Sequence, residues 1–193
     1  EDERREPPPR RRAPDPRPVV VGAGPGGLFA ALRLAEAGAP PLVLEQGEAM
    51  PERVVTMARF MRSGVLDPRS NLGFGAGGAG AYSDGKLMTR IRSPYIPEIM
   101  DTLVRFGAPE EIRWLANPHL GSSRIRRAIH ALIQELVGRG VEVRFRTRVA
   151  SFVLEDGRVS AVVLEDGSEV AASAVLLAGG HSARELYREL ETL

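Results

Sequence analysis

The residues with the clearest chemical potential are three glycines, Gly22, Gly24 and Gly27, and a glutamate, Glu45. The glycines stand at G-x-G-x-x-G spacing directly after the β-branched run 19–21. In such a motif the first glycine allows a tight turn, the second lets a pyrophosphate approach the backbone, and the third lets the helix pack on the strand. A carboxylate about 20 residues further on accepts hydrogen bonds from ribose hydroxyls. The pattern predicts a dinucleotide site.

The flanking residues supply the elements that such a site needs. Apolar residues recur at helical spacing from Leu28 to Ala35, Gly38 ends that helix, and a second apolar run at 42–44 leads into Glu45. The first N–H groups of the helix and its dipole attract phosphate. This strand–helix–strand context favours ligand binding over an ordinary glycine-rich turn. The neighbouring residues that we include as cofactor contacts are Pro25, Gly26 and Gln46.

Arg53 lies in the first turn of the next predicted helix, which begins near Pro51. Two interpretations stay open from the sequence. Its guanidinium could reach a phosphate close to Glu45, or it could be a solvated arginine.

A second informative stretch runs from residue 71 to 88 and has six glycines between Gly73 and Gly85. This density is incompatible with regular helix or strand, and successive backbone N–H groups could form an anion-binding concavity. The alternative is a flexible loop, but the embedded Phe74 and Tyr82 favour a packed one. The only lysine in the chain, Lys86, could lie near a phosphate or near negative charge on a reduced flavin. The cofactor contacts that we predict in this stretch are Gly77, Gly78, Ser83 and Lys86.

Two histidines join Lys86 as candidate catalytic residues without an assigned role. His119 lies in the turn-rich sequence N-P-H-L-G and could face a substrate. His181 and Arg184 follow a predicted buried strand at 174–177, where open α/β sheets bind ligands, so either could contact a ligand. Gly179 beside them is a predicted cofactor contact. The histidines are too scattered to predict a metal site.

The region from about 149 to 172 reads as three strands separated by Asp156-Gly157 and Asp166-Gly167, which are typical hairpin turns. We therefore predict an α/β, Rossmann-like domain with a mostly parallel sheet and a three-stranded antiparallel β-meander.

The composition excludes several other classes. The chain has no cysteine, so disulfides, thiolate metal sites and redox-active cysteine pairs are excluded within it. Net charge is +1, and the sequence has no membrane-length apolar run or signal peptide. We expect no nucleic-acid or membrane partner and a cytoplasmic location. Residues 1–18, rich in arginine and proline, are expected to form a disordered tail. The sequence leaves the oligomeric state open.

Three features resemble the large flavoproteins of the glutathione-reductase-like class, which contain two dinucleotide-binding domains: V-V-V-G-A-G-P-G-G-L with L-V-L-E, the meander, and A-V-L-L-A-G-G. Within that class the chain is similar to FAD-dependent dehydrogenases of uncharacterised substrate, through N-L-G-F-G-A-G-G-A-G-A-Y-S-D-G-K-L, N-P-H-L-G and L-A-G-G-H-S-A-R. The resemblance covers residues 19–193. It implies FAD bound at Gly22, Gly24, Gly27 and Glu45, with the backbone of Val149 beside the adenine.

The resemblance implies an FAD-dependent oxidoreductase of unknown substrate, with NAD(P)H as a candidate electron donor. Because members of the class are longer, we expect the domain at 19–193 to be incomplete at its C-terminus. Two alternatives remain: a non-catalytic nucleotide-binding remnant, and an NAD-binding domain of a dehydrogenase.

Overall fold

The structure, a computed structural model, describes residues 15–87, 89 and 91–192. Its α-helices are α1 (Pro25–Glu36), α2 (Met50–Ser63), α3 (Ile96–Arg105), α4 (Ser122–Gly138) and α5 (Arg184–Leu190). Its strands are β1 (Val19–Val21), β2 (Leu42–Leu44), β3 (Glu142–Arg144), β4 (Val149–Glu155), β5 (Arg158–Leu164), β6 (Glu169–Ala171) and β7 (Val175–Leu177). Short 3-10 helices cover Ala79–Tyr82 and Glu110–Arg113. Most of the tail expected at 1–18 lies outside the described residues. In the described part of the chain no helix has the length and apolarity needed to cross a membrane.

The main sheet has four parallel strands in the order β3-β2-β1-β7. Val20 of β1 pairs with Val43 of β2 on one side and with Leu176 of β7 on the other. The chain thus leaves β1 toward β2 and reaches the opposite side of β1 only at β7. Ligands of open α/β sheets bind at such a reversal, beyond the carboxyl ends of the strands. The topology confirms the predicted parallel sheet and places the candidate site between the ends of β1 and β7.

Helices cover one face of this sheet. Leu28 and Leu32 of α1 and Leu136 of α4 pack in one buried cluster with Val20 and Val43. Covering on both faces explains why β1 and β2 read as continuous apolar runs, V-V-V and L-V-L, instead of alternating. The helical spacing of apolar residues in α1 was sufficient to predict the side that it buries.

The antiparallel meander β4-β5-β6 covers the other face together with α5. Phe152 and Val162 of the meander and Leu186 of α5 pack against Val19 and Leu44 of the parallel sheet. The first hairpin turn has positive φ at both central residues, 50° and 73°, which is the conformation that an Asp-Gly pair favours. The predicted meander is confirmed.

One expectation about burial is wrong. The strand at 174–177 reads as buried, but Leu176 and Leu177 are 40% and 37% exposed. Among the described residues, β7 is an edge strand with β1 as its neighbour. An apolar run shows that a strand favours burial, but it does not show whether a second neighbour covers it.

Candidate functional site

The turn between β1 and α1 is so tight that two of its glycines could not carry a side chain. Gly22 has φ +107°, and a Cβ on it would lie 2.4 Å from the carbonyl oxygen of Ala178. A Cβ on Gly27 would lie 1.9 Å from the carbonyl oxygen of Gly22. The structure therefore gives these glycines the turn and packing roles that the sequence suggests.

Contacts within the protein do not explain why residues 24 and 26 are glycines. A Cβ on Gly24 would meet only Gly78 Cα, at 3.9 Å, and a Cβ on Gly26 would meet nothing within 4 Å. Both residues line a cavity. Gly26 is the second residue of α1. The free space at both residues would allow a ligand to approach the backbone here.

The cavity has a volume of about 990 Å³ and lies at the carboxyl ends of β1, β2 and β7. No side chain caps α1, which begins with Pro25 after Gly24, so its first-turn N–H groups have no partner within the helix. These N–H groups and the helix dipole favour an anion. The predicted site residues in its wall are Gly22, Gly24, Pro25, Gly26, Glu45, Gln46, Gly78, Val149, Gly179 and His181.

Glu45 joins three segments of backbone. Its Oε1 accepts hydrogen bonds from the N–H groups of Gly47 (2.8 Å) and Gly75 (3.0 Å), and its Oε2 accepts one from Ala23 (2.8 Å). The side chain is buried, with the residue 5% exposed. Because each carboxylate oxygen offers about two acceptor sites, Oε2 keeps one for a ribose hydroxyl. The predicted ribose contact is compatible with this geometry and stays a prediction.

The glycine-rich loop packs directly on the β1–α1 turn. The N–H of Gly77 donates to the carbonyl of Ala23 at 2.8 Å. A Cβ on Gly78 would lie 3.2 Å from Gly24 Cα, while one on Gly77 would lie 2.5 Å from Ile129 of α4. Ala76 is fully buried. The loop is packed, as the embedded aromatic residues suggest, and Gly77 faces α4 while Gly78 faces the cavity.

Both interpretations that the sequence left open for Arg53 are wrong, since the side chain is neither solvated nor available to a phosphate. It is fully buried, and the pKa of its guanidinium is lowered by desolvation. Its five N–H groups all donate to backbone carbonyls of the loop, those of Asn71, Leu72, Ala76 and Gly78, at 2.6–3.2 Å. It therefore has no N–H left for a phosphate. The side chain instead stabilises the conformation of the loop through these hydrogen bonds.

Two further predicted cofactor contacts lie outside the cavity wall. The Ser83 hydroxyl donates to the carbonyl of Gly80 at 3.0 Å and closes a local turn. The Lys86 ammonium forms an ion pair with Asp84 at 2.9 Å. Lys86 also pairs with His119 in an isolated antiparallel bridge. The structure thus brings two of the three candidate catalytic residues together, while His181 stands apart from them in the cavity wall.

Sequence reasoning identified one member of a group of cations around the cavity, Arg184, and missed the others. Among the described residues, four arginines line the cavity, Arg69, Arg148, Arg184 and Arg188. Arg69 and Arg148 both pair with Glu165, and Arg148 also pairs with Glu185. Arg69 and Glu165 lie 96 residues apart, so no local pattern could have revealed their contact. Arg184 could be predicted because it follows the strand at 174–177, and Arg188 lies four residues further along α5.

Comparisons with known proteins point to the same ligand. A family described as "FAD binding domain" matches residues 17–124, more than half of the chain, and one described as "FAD dependent oxidoreductase" matches residues 101–193. An uncharacterised protein of Clostridium beijerinckii is 40% identical over 174 residues, 90% of this chain and 32% of that protein. The chain therefore spans about a third of the length of this curated relative.

Solved structures show the same fold at low identity. THI4 of Thermovibrio ammonificans has a TM-score of 0.61 at 19% identity, over 91% of this chain and 61% of that chain. The L-amino acid deaminase of Proteus vulgaris, with its specific insertion deleted, has a TM-score of 0.58 at 14% identity, over 90% and 55%. The 3-ketosteroid-Δ4-(5α)-dehydrogenase of Rhodococcus jostii RHA1 has 0.51 at 21%, over 87% and 48%.

The family matches confirm the resemblance to FAD-dependent oxidoreductases and FAD as the cofactor. The residues present fit that cofactor, since Gly24 and Gly26 leave a cradle that a Cβ would fill. The chain belongs to the FAD-binding domain family.

Proposed function

We propose that this chain holds FAD in an oxidoreductase whose flavin exchanges a hydride with an organic substrate. The observation that carries the proposal is the open space at Gly24 and Gly26, at the N-terminus of α1 and in the wall of the cavity. The matched families support the oxidoreductase class. FAD, when bound, supplies the electron chemistry, and the protein supplies binding and orientation.

Each part of the cavity has a role in this proposal. The first-turn N–H groups of α1 bind the pyrophosphate, and Glu45 Oε2 accepts from a ribose hydroxyl. Val149 and Gln46 flank the adenosine half. Arginines at the cavity, among them Arg184 and Arg188, attract the two negative charges of the pyrophosphate.

The remaining expectations are part of the proposal. NAD(P)H is a candidate electron donor, and the lack of cysteine together with a net charge of +1 supports a cytoplasmic protein without a polyanionic partner. The family matches favour FAD over the NAD-binding alternative. A non-catalytic nucleotide-binding role is the competing hypothesis.

Flavin retention tests the proposal. The purified chain, mixed with FAD and passed through gel filtration, should keep the visible flavin absorption. Gly24→Val should abolish retention. Gly26→Ala should leave the chain folded, because its Cβ would meet nothing within 4 Å, yet weaken FAD binding by about tenfold or more, because the methyl group would fill space in the cavity wall that the pyrophosphate needs to reach the first-turn N–H groups.

The matched control is Gly138→Ala, a helical glycine in α4 whose Cβ would meet nothing within 4 Å. This variant should retain FAD like the unmodified chain. Undiminished FAD binding by Gly26→Ala would count against the assignment of the cavity. Tight NAD binding without flavin would favour the NAD-binding alternative, and bound flavin that NAD(P)H leaves oxidised under anaerobic conditions would favour the non-catalytic role.

A further inference from the structure

Backbone hydrogen bonds join two loops that the sequence singled out separately. The N–H of Leu87 donates to the carbonyl of Pro118 at 2.9 Å, and the N–H of Leu120 donates to the carbonyl of Gly85 at 2.8 Å. A Cβ on Gly85 would lie 2.4 Å from the backbone nitrogen of Gly121. The two backbones therefore approach too closely for side chains at this crossing, which fixes D-G-K-L against P-H-L-G.

The register of this crossing places two nitrogen-bearing side chains on one side. The two hydrogen bonds flank the pair Lys86 and His119, so the pair is of the non-hydrogen-bonded antiparallel type, with Cβ atoms about 5 Å apart on one face. Asp84 joins them: one oxygen accepts the Lys86 N–H at 3.1 Å and the other accepts its ammonium at 2.9 Å. Hydrogen bonding from the Lys86 side chain is the main cause that lowers the pKa of Asp84. We call Asp84, Lys86 and His119 the platform.

The path of the glycine-rich loop shows which end of the cavity the platform adjoins. Gly75 contacts Glu45, the ribose end, and Gly77 and Gly78 then contact Ala23 and Gly24 at the pyrophosphate turn. The loop thus runs along the cavity from the ribose toward the far side of the pyrophosphate. In a dinucleotide that far side carries the reactive ring.

The platform follows directly on this path. Gly80 still lines the cavity. Ser83 Oγ lies 3.0 Å from the Gly80 carbonyl and 3.3 Å from the Gly85 nitrogen. Lys86 is the next residue, and its side chain is 60% exposed. The ammonium of Lys86 therefore lies past the last lining residue of this loop and is open to a small solute.

We propose that Lys86 and His119 bind the carboxylate of a small anionic substrate outside the cavity wall, on the side toward which the glycine-rich loop leads from the pyrophosphate turn. This inference rests on the proposed function. An ammonium has three donors, and Asp84 uses one of them. The remaining donors of Lys86 and an imidazole N–H of His119 suit the two oxygens of a carboxylate. Asp84 holds the ammonium in place and competes with the ligand for it.

The three histidines of the chain provide separate reporters for the test. His119 lies on the platform, His181 in the cavity wall, and His130 is exposed on α4. We would assign their ring signals by NMR from single His→Gln variants and titrate the chain with sodium benzoate at constant ionic strength. The expected result is a saturable shift of the His119 signal with the His130 signal unmoved. FAD, added in a separate titration, should shift His181.

Variants on the platform should act in opposite directions. Lys86→Met should weaken benzoate binding by about tenfold or more, since a charge-assisted hydrogen bond is lost, and Lys86→Arg should retain binding. Asp84→Asn should strengthen it by removing the competing carboxylate. Thermal unfolding checks that each variant is folded.

Two results would overturn the inference: a His119 shift of equal size with sodium chloride, or equal benzoate binding by Lys86→Met. Because the platform needs no FAD to form, this test can be read even if the chain does not bind FAD. An unmoved His181 signal in the FAD titration would instead contradict the proposed function.

Discussion

The N–H of Gly75 donates a 3.0 Å hydrogen bond to Oε1 of Glu45, 30 residues away in the sequence. The same carboxylate accepts from Gly47 and Ala23. One buried side chain therefore joins the end of β2, the glycine-rich loop and the turn that starts α1. The residue that the sequence predicts as a ribose contact thus also joins backbone segments around the cavity.

Glu45→Gln should reduce both stability and FAD affinity. The amide keeps one acceptor oxygen and turns an NH₂ group toward backbone donors, so at least one N–H loses its partner. Hydrogen bonds to charged groups contribute about 1.5–3 kcal/mol each, and we expect a loss of about 2 kcal/mol in the free energy of unfolding. Denaturant unfolding and FAD titration measure the two effects. The control is Glu169→Gln, at an exposed position of β6. Equal stability of the two variants would show that the hydrogen bonds of Glu45 do not stabilise the fold.

Local patterns were sufficient to predict most of the fold. The runs V-V-V and L-V-L, the helical spacing in α1 and the two Asp-Gly turns each act within a few residues, and the structure contains the elements that they predict. The cavity glycines Gly24 and Gly26 were predicted for the same reason, since their role depends on the adjacent strand and helix.

The parts that sequence could not predict depend on contacts between distant segments. In the sequence Arg53 is an ordinary first-turn arginine, and its role depends on contacts with the distant loop at 71–78. The pairing of Lys86 with His119 joins two loops that carry no mutual pattern. The exposure of Leu177 follows from the position of β7 in the sheet order, which apolarity alone does not give.

Arg53→Met should be strongly destabilising, by about 3 kcal/mol or more, because several loop carbonyls lose their donor in a buried setting. Arg53→Lys should recover only part of this loss, since an ammonium has fewer donors and no planar fork. Denaturant unfolding gives the free energies, and limited proteolysis within residues 71–87 reports the loop. The control is Arg59→Met, an exposed arginine on the same helix. Equal resistance of the loop to proteolysis in the two Met variants would contradict this role of Arg53.

A chain of ion pairs at the cavity should make FAD release depend on salt. Arg69 binds Glu165 with two contacts, 2.5 and 2.7 Å, and Arg148 joins Glu165 at 3.1 Å and Glu185. This chain connects the segment before the glycine-rich loop to α5. Exposed pairs contribute roughly 0.2–1 kcal/mol each and are screened by salt. We expect FAD release to be about two- to fivefold faster in 0.5 M than in 0.05 M NaCl.

Glu165→Gln separates this effect from screening of the pyrophosphate itself. The variant loses the central carboxylate and should release FAD faster at low salt, with a shallower dependence on NaCl. Stopped-flow flavin fluorescence measures the rates. Identical salt dependence in the variant and the unmodified chain would show that the ion pairs do not retain the cofactor.

Tyr82 should lower the stability of the fold at alkaline pH. The guanidinium carbons of Arg53 and Arg126 lie 4.7 and 5.3 Å from the centroid of its ring. Burial raises the pKa of Tyr82 above its ordinary value of 10, against the opposing effect of the two arginines. Above pH 10 the unfolded chain has therefore lost a proton that the folded chain still holds. The unfolded state binds fewer protons there, so the free energy of unfolding falls as the pH rises from 10 toward the folded pKa.

Tyr82→Phe should remove this part of the decline, whereas Tyr95→Phe, at a 67% exposed position, should leave it in place. Urea unfolding between pH 8 and 11 measures it, and parallel curves for all three proteins would contradict the assignment.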